Sequence, residues 1–230
     1  MPRLGAMTAY TGNVTPGGTP DTRELAHLVI SKLAVDAEMS NNVYLLRCRQ
    51  TDTQVLIDAA AEPDAVMRLI GDGGLDSVVT THQHWDHHRA LGDVVAATEA
   101  TVIAGADDAA AITEQTDVVV DVTVSQDDVI QVGECQLQVI HVDGHTPGSI
   151  CLLYDDPEGT PHLFTGDSLF PGGVGATFGD KDAFERLITN VSERIFDRLP
   201  NETHFYPGHG GDSTLGAERP HLAEWRRRGW

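Results

Sequence analysis

The sequence predicts a mixed α/β chain in which two β-sheets pack together with helices outside. Three observations lead there. Short β-branched runs alternate with segments of helical period along most of the chain. Each half supplies several strands and then a helix. At 230 residues and 40% hydrophobic, the chain can bury a sizeable core in layers, since each sheet face and helix stripe must be covered.

The elements follow in order. Residues 1–23 are polar and hold Gly12, Pro16, Gly17, Gly18 and Pro20, so they are expected to form a flexible arm, with the folded domain over 24–230. Residues 28–35 and 43–49 read as strands around a turn at Ser40-Asn41-Asn42. Residues 54–57 form a third strand, ending at Asp58. Pro63 opens a helix to Ile70, where Gly71-Asp72-Gly73-Gly74 stops it. Residues 76–81 are the next strand. A helix is expected over 86–97 with Asp86 as its N-cap. Residues 101–104 read as strand, 107–112 as a short helix, and 118–124 and 129–132 as extended. Residues 136–142 alternate polar and apolar, as a half-buried strand does. Strands at 150–154 and 162–165 follow. Residues 180–199 form the longest helix, because Phe184, Leu187, Ile188, Val191 and Ile195 keep a 3.6-residue period. Residues 203–206 are a last strand before Pro207-Gly208-His209.

Charge narrows the partners. A formal net charge of -20 repels phosphate backbones and anionic lipid, so neither nucleic acid nor membrane is expected, and a small-molecule substrate is. No apolar run is long enough for a signal peptide or a membrane span. Cys48, Cys135 and Cys151 show no Cys-x-x-Cys spacing and read as small buried hydrophobes, which fits a reducing cytoplasm.

The chemistry concentrates at His82-Gln83-His84-Trp85-Asp86-His87. Alternation puts His82 and His84 on one side of an extended segment, where two imidazoles can grip one divalent ion. Asp86 and His87 follow where the chain turns, and can face a second ion. Imidazole with carboxylate suits zinc, and also iron or manganese. His145 in Asp143-Gly144-His145-Thr146-Pro147-Gly148, Asp167 in Thr165-Gly166-Asp167-Ser168 and His209 in Pro207-Gly208-His209-Gly210 each sit just past a strand, in a turn with glycine. His27, His88, His141, His162, His204 and His221 remain unassigned, with His88 reading as structural or solvated and His221 as a surface residue.

This pattern, His82-x-His84-x-Asp86-His87 followed by His145, Asp167 and His209, resembles the metallo-β-lactamase superfamily. It is most similar to the glyoxalase II (hydroxyacylglutathione hydrolase) branch, in its short single-domain bacterial form. The stretches Gly144-His145-Thr146-Pro147-Gly148-Ser149, Gly166-Asp167-Ser168-Leu169-Phe170 and Pro207-Gly208-His209-Gly210 carry the resemblance, which runs from about Leu28 onward. It implies a four-layer αββα sandwich with the site at one edge of the sheets. It implies two divalent metal ions, zinc foremost. His82, His84 and His145 would hold the first, Asp86, His87 and His209 the second, and Asp167 would bridge them. Asp58 would orient a ligand by a hydrogen bond, and Asp86 and Asp167 would steer a proton. Trp85, Phe170, Phe178 and Arg219 are the candidate substrate contacts.

The resemblance implies hydrolysis of a thioester of a low-molecular-weight thiol by water that two metals activate. The sequence departs from the branch at the thiol end. Gly173-Val174-Gly175-Ala176 stands where the branch has Gly-Cys-Gly-Arg/Lys, and Phe178 where a ring hydroxyl is common. The long helical C-terminal extension of the two-domain enzymes is also missing. The expected substrate is thus an S-D-lactoylglutathione-like thioester or a mycothiol analogue, the departures counting against glutathione itself and the alanine- and aspartate-rich composition, similar to that of actinobacterial proteins, pointing to mycothiol. Arg219 is the candidate substitute clamp. The rival readings are an iron-dependent persulfide dioxygenase, a β-lactamase or other ester or amide hydrolase, and a metal-binding module without turnover.

Overall fold

The computed structural model describes residues 9–229. Seven strands form the first sheet, in chain order: β1 (Asp21–Glu24), β2 (Leu28–Val35), β3 (Asn41–Cys48), β4 (Gln54–Ile57), β5 (Ser77–Thr80), β6 (Thr101–Gly105) and β7 (Val122–Val124). Pairing is antiparallel from β1 to β4 and parallel from β4 to β7. The parallel part needs crossovers, which α1 (Pro63–Ile70), α2 (Leu91–Thr98) and α3 (Ala109–Thr116) supply. Next come β8 (Val129–Val132), β9 (Cys135–His141), β10 (Ile150–Tyr154) and β11 (His162–Gly166). A small hairpin, β12 (Leu169–Phe170) and β13 (Gly173–Val174), precedes α4 (Lys181–Asn190). The chain then adds β14 (His204–Pro207), β15 (Ser213–Thr214), α5 (Leu215–Glu218) and α6 (Leu222–Arg228). The second sheet runs β15-β14-β11-β10-β9-β8.

Three apolar layers join these pieces. Leu28, Ile30, Leu46 and Val79 meet Leu137, Val139, Leu152 and Phe164 between the sheets. Val66, Ile70, Leu91 and Val94 cover the outer face of the first sheet. Phe184, Leu187, Ile188 and Trp225 cover that of the second. β10 shows why its sequence reads as one unbroken apolar run. Ile150, Leu152 and Tyr154 face the inter-sheet layer, whereas Cys151 and Leu153 face the helices. The fold is thus the four-layer αββα sandwich that the resemblance implied.

Several expected boundaries shift, each for a local reason. The arm expected over 1–23 is corrected for its second half, residues 1–8 lying outside the described residues. Asp21 opens β1, and its carboxylate accepts from the Thr11 and Gly12 amides, at 2.8 and 2.9 Å. Asp86 does not cap a helix. It lies in a 3-10 turn over Trp85–His87, its carboxylate engaged by Asn41, and α2 starts only at Leu91. The short helix expected at 107–112 begins at Ala109 and extends to Thr116, while residues 118–121 precede the pairing of β7. α4 starts as expected, with Asp180 accepting from the Asp182 and Ala183 amides, then loosens into a π-helical turn over Val191–Phe196. α6 gave no periodic signal because Trp225 is its one buried residue. The indole packs edge-on against Phe196, with centroids 6.2 Å apart.

His162 and His204 open β11 and β14 and stack at 5.6 Å. The Tyr206 hydroxyl donates to His162 Nδ1 at 2.7 Å. Burial, helped by the charges of Arg23 and His204, pushes His162 down to about 3. An unfolded histidine titrates near 6.5, so between those values the unfolded chain binds more protons and stability falls as pH falls. Between pH 7 and pH 5 the wild type is expected to lose about 2 kcal/mol more than His162→Gln. Urea unfolding at the two pH values measures this, and equal losses would show that His162 is not held neutral.

Candidate metal centre

Each candidate ligand follows the C-terminal end of a strand at one edge of the sandwich: Asp58 after β4, His82–His87 after β5, His145 after β9, Asp167 after β11 and His209 after β14. The fold brings seven donors together in three overlapping groups. These are His82, His84 and His145, then His82, His87 and Asp167, then Asp86, His87 and His209. His84 Nδ1 lies 2.9 Å from His145 Nε2, and His87 Nε2 lies 3.2 Å from His209 Nε2. Asp167 sits between the clusters. Its Oδ1 is 3.4 Å from His87 Nε2, and its Oδ2 is 3.5 Å from His209 Nε2 and 3.7 Å from His145 Nε2.

The atoms that face the centre fit divalent cations. His82 Nε2 and Asp167 Oδ1 are buried and have no hydrogen-bond partner. A buried polar atom left so is costly unless something else engages it. The outward ring nitrogens of four of these histidines are already engaged. His145 Nδ1–H donates to the Ala176 carbonyl at 2.8 Å, and His209 Nδ1–H to the Met39 carbonyl at 2.9 Å. His87 Nδ1–H donates to Asp58 at 2.9 Å, and His82 Nδ1–H to Thr81 Oγ1 at 3.0 Å. These bonds fix the tautomers that turn the opposite nitrogens inward.

Electrostatics divide the site. Burial holds His82 well below the ordinary histidine value and His84 at about 4, and it lowers His145 as well. Three neutral imidazoles are the form a cation binds. Burial also works against charge on His87 and His209, but carboxylates outweigh it. Asp167 and Asp58 hold His87 well above its usual value, and Asp167 and Asp86 hold His209 at about 9. Burial would raise Asp167, yet His87 and His209 keep it well below the carboxylate range. A cation placed there would replace the two imidazolium charges.

Supporting residues lock the loops. Asp58 adopts a left-handed backbone at φ 58°, a costly conformation for a residue with a side chain. From there it accepts from Thr81 N at 2.7 Å and Thr81 Oγ1 at 2.8 Å as well as from His87. Asn41 Nδ2 donates to Asp86 Oδ2 at 3.0 Å. Asp108 ties two ligand loops together, accepting from Gln83 N at 2.9 Å, Gly148 N at 2.7 Å and Thr146 Oγ1 at 2.5 Å. At Gly208 a Cβ would fall 2.3 Å from Asp167 Oδ1, so a side chain there would displace the shared carboxylate. Sequence reading missed Asn41, Thr81 and Asp108. Asn41 looked like a turn residue and Asp108 like the start of a helix, and their partners are remote in sequence.

The expected substrate contacts divide. The Phe178 ring is 81% exposed and stands 5.8 Å from the His84 ring and 6.4 Å from the His145 ring. Phe170 lies 6.4 Å from the His209 ring. Trp85, 54% exposed, lies under the Arg89 guanidinium at 4.7 Å. Arg219 is a correction. Its guanidinium donates to Asn201 Oδ1 at 2.6 Å, to the Leu199 carbonyl at 2.8 Å and to the Phe196 carbonyl, closing the chain end that follows α4. It is therefore spent on the fold. His88 is buried and bonded to the Gln83 carbonyl at 3.1 Å, in keeping with a structural role. Among the described residues no helix is long and apolar enough to cross a membrane.

Comparison with known proteins agrees with this geometry. Residues 37–213 match the family described as Metallo-beta-lactamase superfamily. The chain is 30% identical over 177 residues to the probable hydroxyacylglutathione hydrolase glo2 of Schizosaccharomyces pombe, covering 74% of this chain and 64% of that protein. It thus spans slightly less than two thirds of that relative's length. Among solved structures, ETHE1 from Myxococcus xanthus superposes with a TM-score of 0.74 at 30% identity, over 86% of this chain and 84% of that one. TTHA1623, solved in a di-iron-bound form, superposes with a TM-score of 0.64 at 29% identity, over 82% and 96%.

Proposed function

Because the chain belongs to the metallo-beta-lactamase superfamily, we propose that it is a two-metal hydrolase cleaving thioesters of a low-molecular-weight thiol. The observation that carries this reading is the single Asp167 carboxylate facing both histidine clusters. His82, His84 and His145 would hold one ion, Asp86, His87 and His209 the other, and Asp167 both, with zinc the preferred metal for this donor set. When bound, the pair supplies an activated water and an electrophile for the carbonyl oxygen. The chain's own residues do the rest. Asn41 holds the Asp86 carboxylate and Asp58 holds the His87 ring, so the donors keep their aim. Asp86 and Asp167 offer carboxylate oxygens to steer a proton between the attacking water and the departing thiol. The similarity to hydroxyacylglutathione hydrolases supports a thioester over other esters.

Beside Phe178 lies a cavity of about 490 Å³ lined by Phe184, Lys181, Arg226 and Arg228 together with Asp180 and Glu185. Its lining combines Ala176, Phe178 and Phe184 with three positive and two negative side chains, Arg226 pairing with Glu185 at 3.3 Å. In this reading it takes the thiol's anionic tail, in place of the basic side chain that Ala176 lacks. Lys181→Glu with Arg226→Glu is expected to raise KM about tenfold for a carboxylate-tailed thioester and leave kcat nearly unchanged. An unchanged KM would remove the cavity from the substrate path.

A second reading, an iron-dependent persulfide dioxygenase, draws on the grouping of His82, His87 and Asp167, a two-histidine, one-carboxylate set of the kind that suits non-haem iron. One panel separates the readings: free-thiol release from thioesters, β-lactam opening, and oxygen uptake with a persulfide. The proposal expects thiol release alone. Oxygen uptake without hydrolysis would replace it with the second reading.

A further inference from the structure

The apolar side chains that stand in solvent are not scattered. Among the described residues six large ones are exposed, and three of these are the valines Val119, Val122 and Val129. The other three, Met39, Trp85 and Phe178, all adjoin the metal centre. Trp85 lies between the candidate ligands His84 and Asp86 in the chain. Phe178 stands by the His84 and His145 rings. Met39, 41% exposed, accepts at its carbonyl from His209 Nδ1–H at 2.9 Å. Apolar surface gathered around a polar centre marks a place where an apolar part of a ligand is covered.

Met39 and Trp85 are held as one wall. Met39 belongs to the turn between β2 and β3, bounded by Asp36 and Ser40, both with a left-handed backbone. The Ser40 amide donates to the Asp36 carbonyl at 2.7 Å. The Asp36 carboxylate accepts from the Glu38 and Met39 amides at 2.8 and 3.2 Å. The same carboxylate takes the Arg89 guanidinium at 2.5 Å. That guanidinium lies 4.7 Å over the Trp85 ring, and its Nε donates to the Ala60 carbonyl at 3.3 Å. One ion pair therefore fixes both the Met39 turn and the indole before a ligand arrives, which lowers the ordering cost of binding.

Beside Trp85 opens a cleft of about 510 Å³, lined also by Arg89, Gly92, Asp93, Gln115 and Thr116. It shares no lining residue with the cavity beside Phe178. A substrate whose thiol tail occupies the Phe178 cavity thus has a separate surface for its other half. Resting on the thioester reading above, we propose that Met39 and Trp85 receive the acyl half of the substrate, an unbranched aliphatic chain rather than a short hydroxylated one. A thioether and an indole face cover methylenes well and offer a hydroxyl little. Arg89 is already paired with Asp36, and Asp93 disfavours a chain that ends in a carboxylate. Each methylene laid on the wall leaves water, so affinity climbs with chain length.

The test reads binding apart from turnover. Acetate, butyrate and hexanoate are titrated calorimetrically into the zinc-loaded chain, their carboxylates standing in for the acyl head at the metal centre. A gain of about twofold per methylene is expected, so that hexanoate binds at least about tenfold tighter than acetate. Trp85→Ala and, separately, Met39→Ser are each expected to halve that ratio or more, with zinc content measured on the same samples. Where Trp85→Ala loses zinc, Met39→Ser decides. Equal affinities for acetate and hexanoate, or a ratio unmoved at full zinc content, would overturn the proposal. The kcat/KM for thiol release is expected to climb in parallel from S-acetyl- to S-hexanoyl-N-acetylcysteamine. Graded carboxylate binding with no thiol release from either thioester would refute the thioester reading and leave the apolar wall standing.

Discussion

Asp167→Ala is expected to lower thioester turnover by about a thousandfold and to leave the chain holding no more than one metal tightly. The reason is geometric. Among the described residues, Asp167 is the one side chain whose two oxygens reach both histidine clusters, at 3.4 Å to His87, 3.5 Å to His209 and 3.7 Å to His145. Alanine deletes a donor from each side at once and leaves His87 with only Asp58, at 2.9 Å, and Asp86, at 3.5 Å, as carboxylate partners. Asp167→Asn keeps the volume and removes the charge, so it is expected to retain one ion and a small residual rate. The loop itself should survive, because the Ser168 amide still closes the turn onto the Thr165 carbonyl at 3.0 Å. Turnover within tenfold of wild type in the alanine variant would remove Asp167 from its shared role.

The largest effect on stability is expected from Lys32→Ala, at about 3–5 kcal/mol in urea unfolding of the metal-loaded protein. Lys32 is wholly buried, at 0% exposure. Its ammonium donates to Asp212 Oδ1 at 2.6 Å, to the Gly210 carbonyl at 2.8 Å and to the Gly12 carbonyl at 3.0 Å. Removing it strands a largely buried carboxylate and the Gly12 carbonyl, while the Gly210 carbonyl keeps the Asn42 side-chain amide at 3.0 Å. Tyr10, which also donates to Asp212, cannot neutralise that charge. The same contact holds the backbone just past His209, so affinity for the second ion is expected to fall with stability. A loss under 1 kcal/mol would show that Asp212 finds solvent when Lys32 is gone.

Much of this was legible in the sequence because strand period and turn chemistry are local. The alternation in 136–142, the glycines around His145, Asp167 and His209, and the density of donors from His82 to His87 each report their own surroundings. What stayed hidden depends on remote partners. Lys32 sits in a strand pattern where a lysine reads as solvent-facing, and only the return of Gly210 and Asp212 to β2 makes it a buried anchor. Asp86 looked like a helix cap because Asp commonly caps helices, but Asn41 and the second cluster claim its carboxylate. Arg219 looked free to grip a substrate until Phe196, Leu199 and Asn201 were seen to absorb it. Residues 10–12 looked loose because Asp21 and Asp212 hold them only once the sheets have formed.

The most direct test of the central claim is a metal titration of the stripped protein, with bound metal per chain and thiol release from a thioester measured on the same samples. Activity is expected to rise until two ions are bound per chain and then to stop rising. Full thiol release at one ion per chain, or one iron per chain with oxygen uptake and no thiol release, would contradict it.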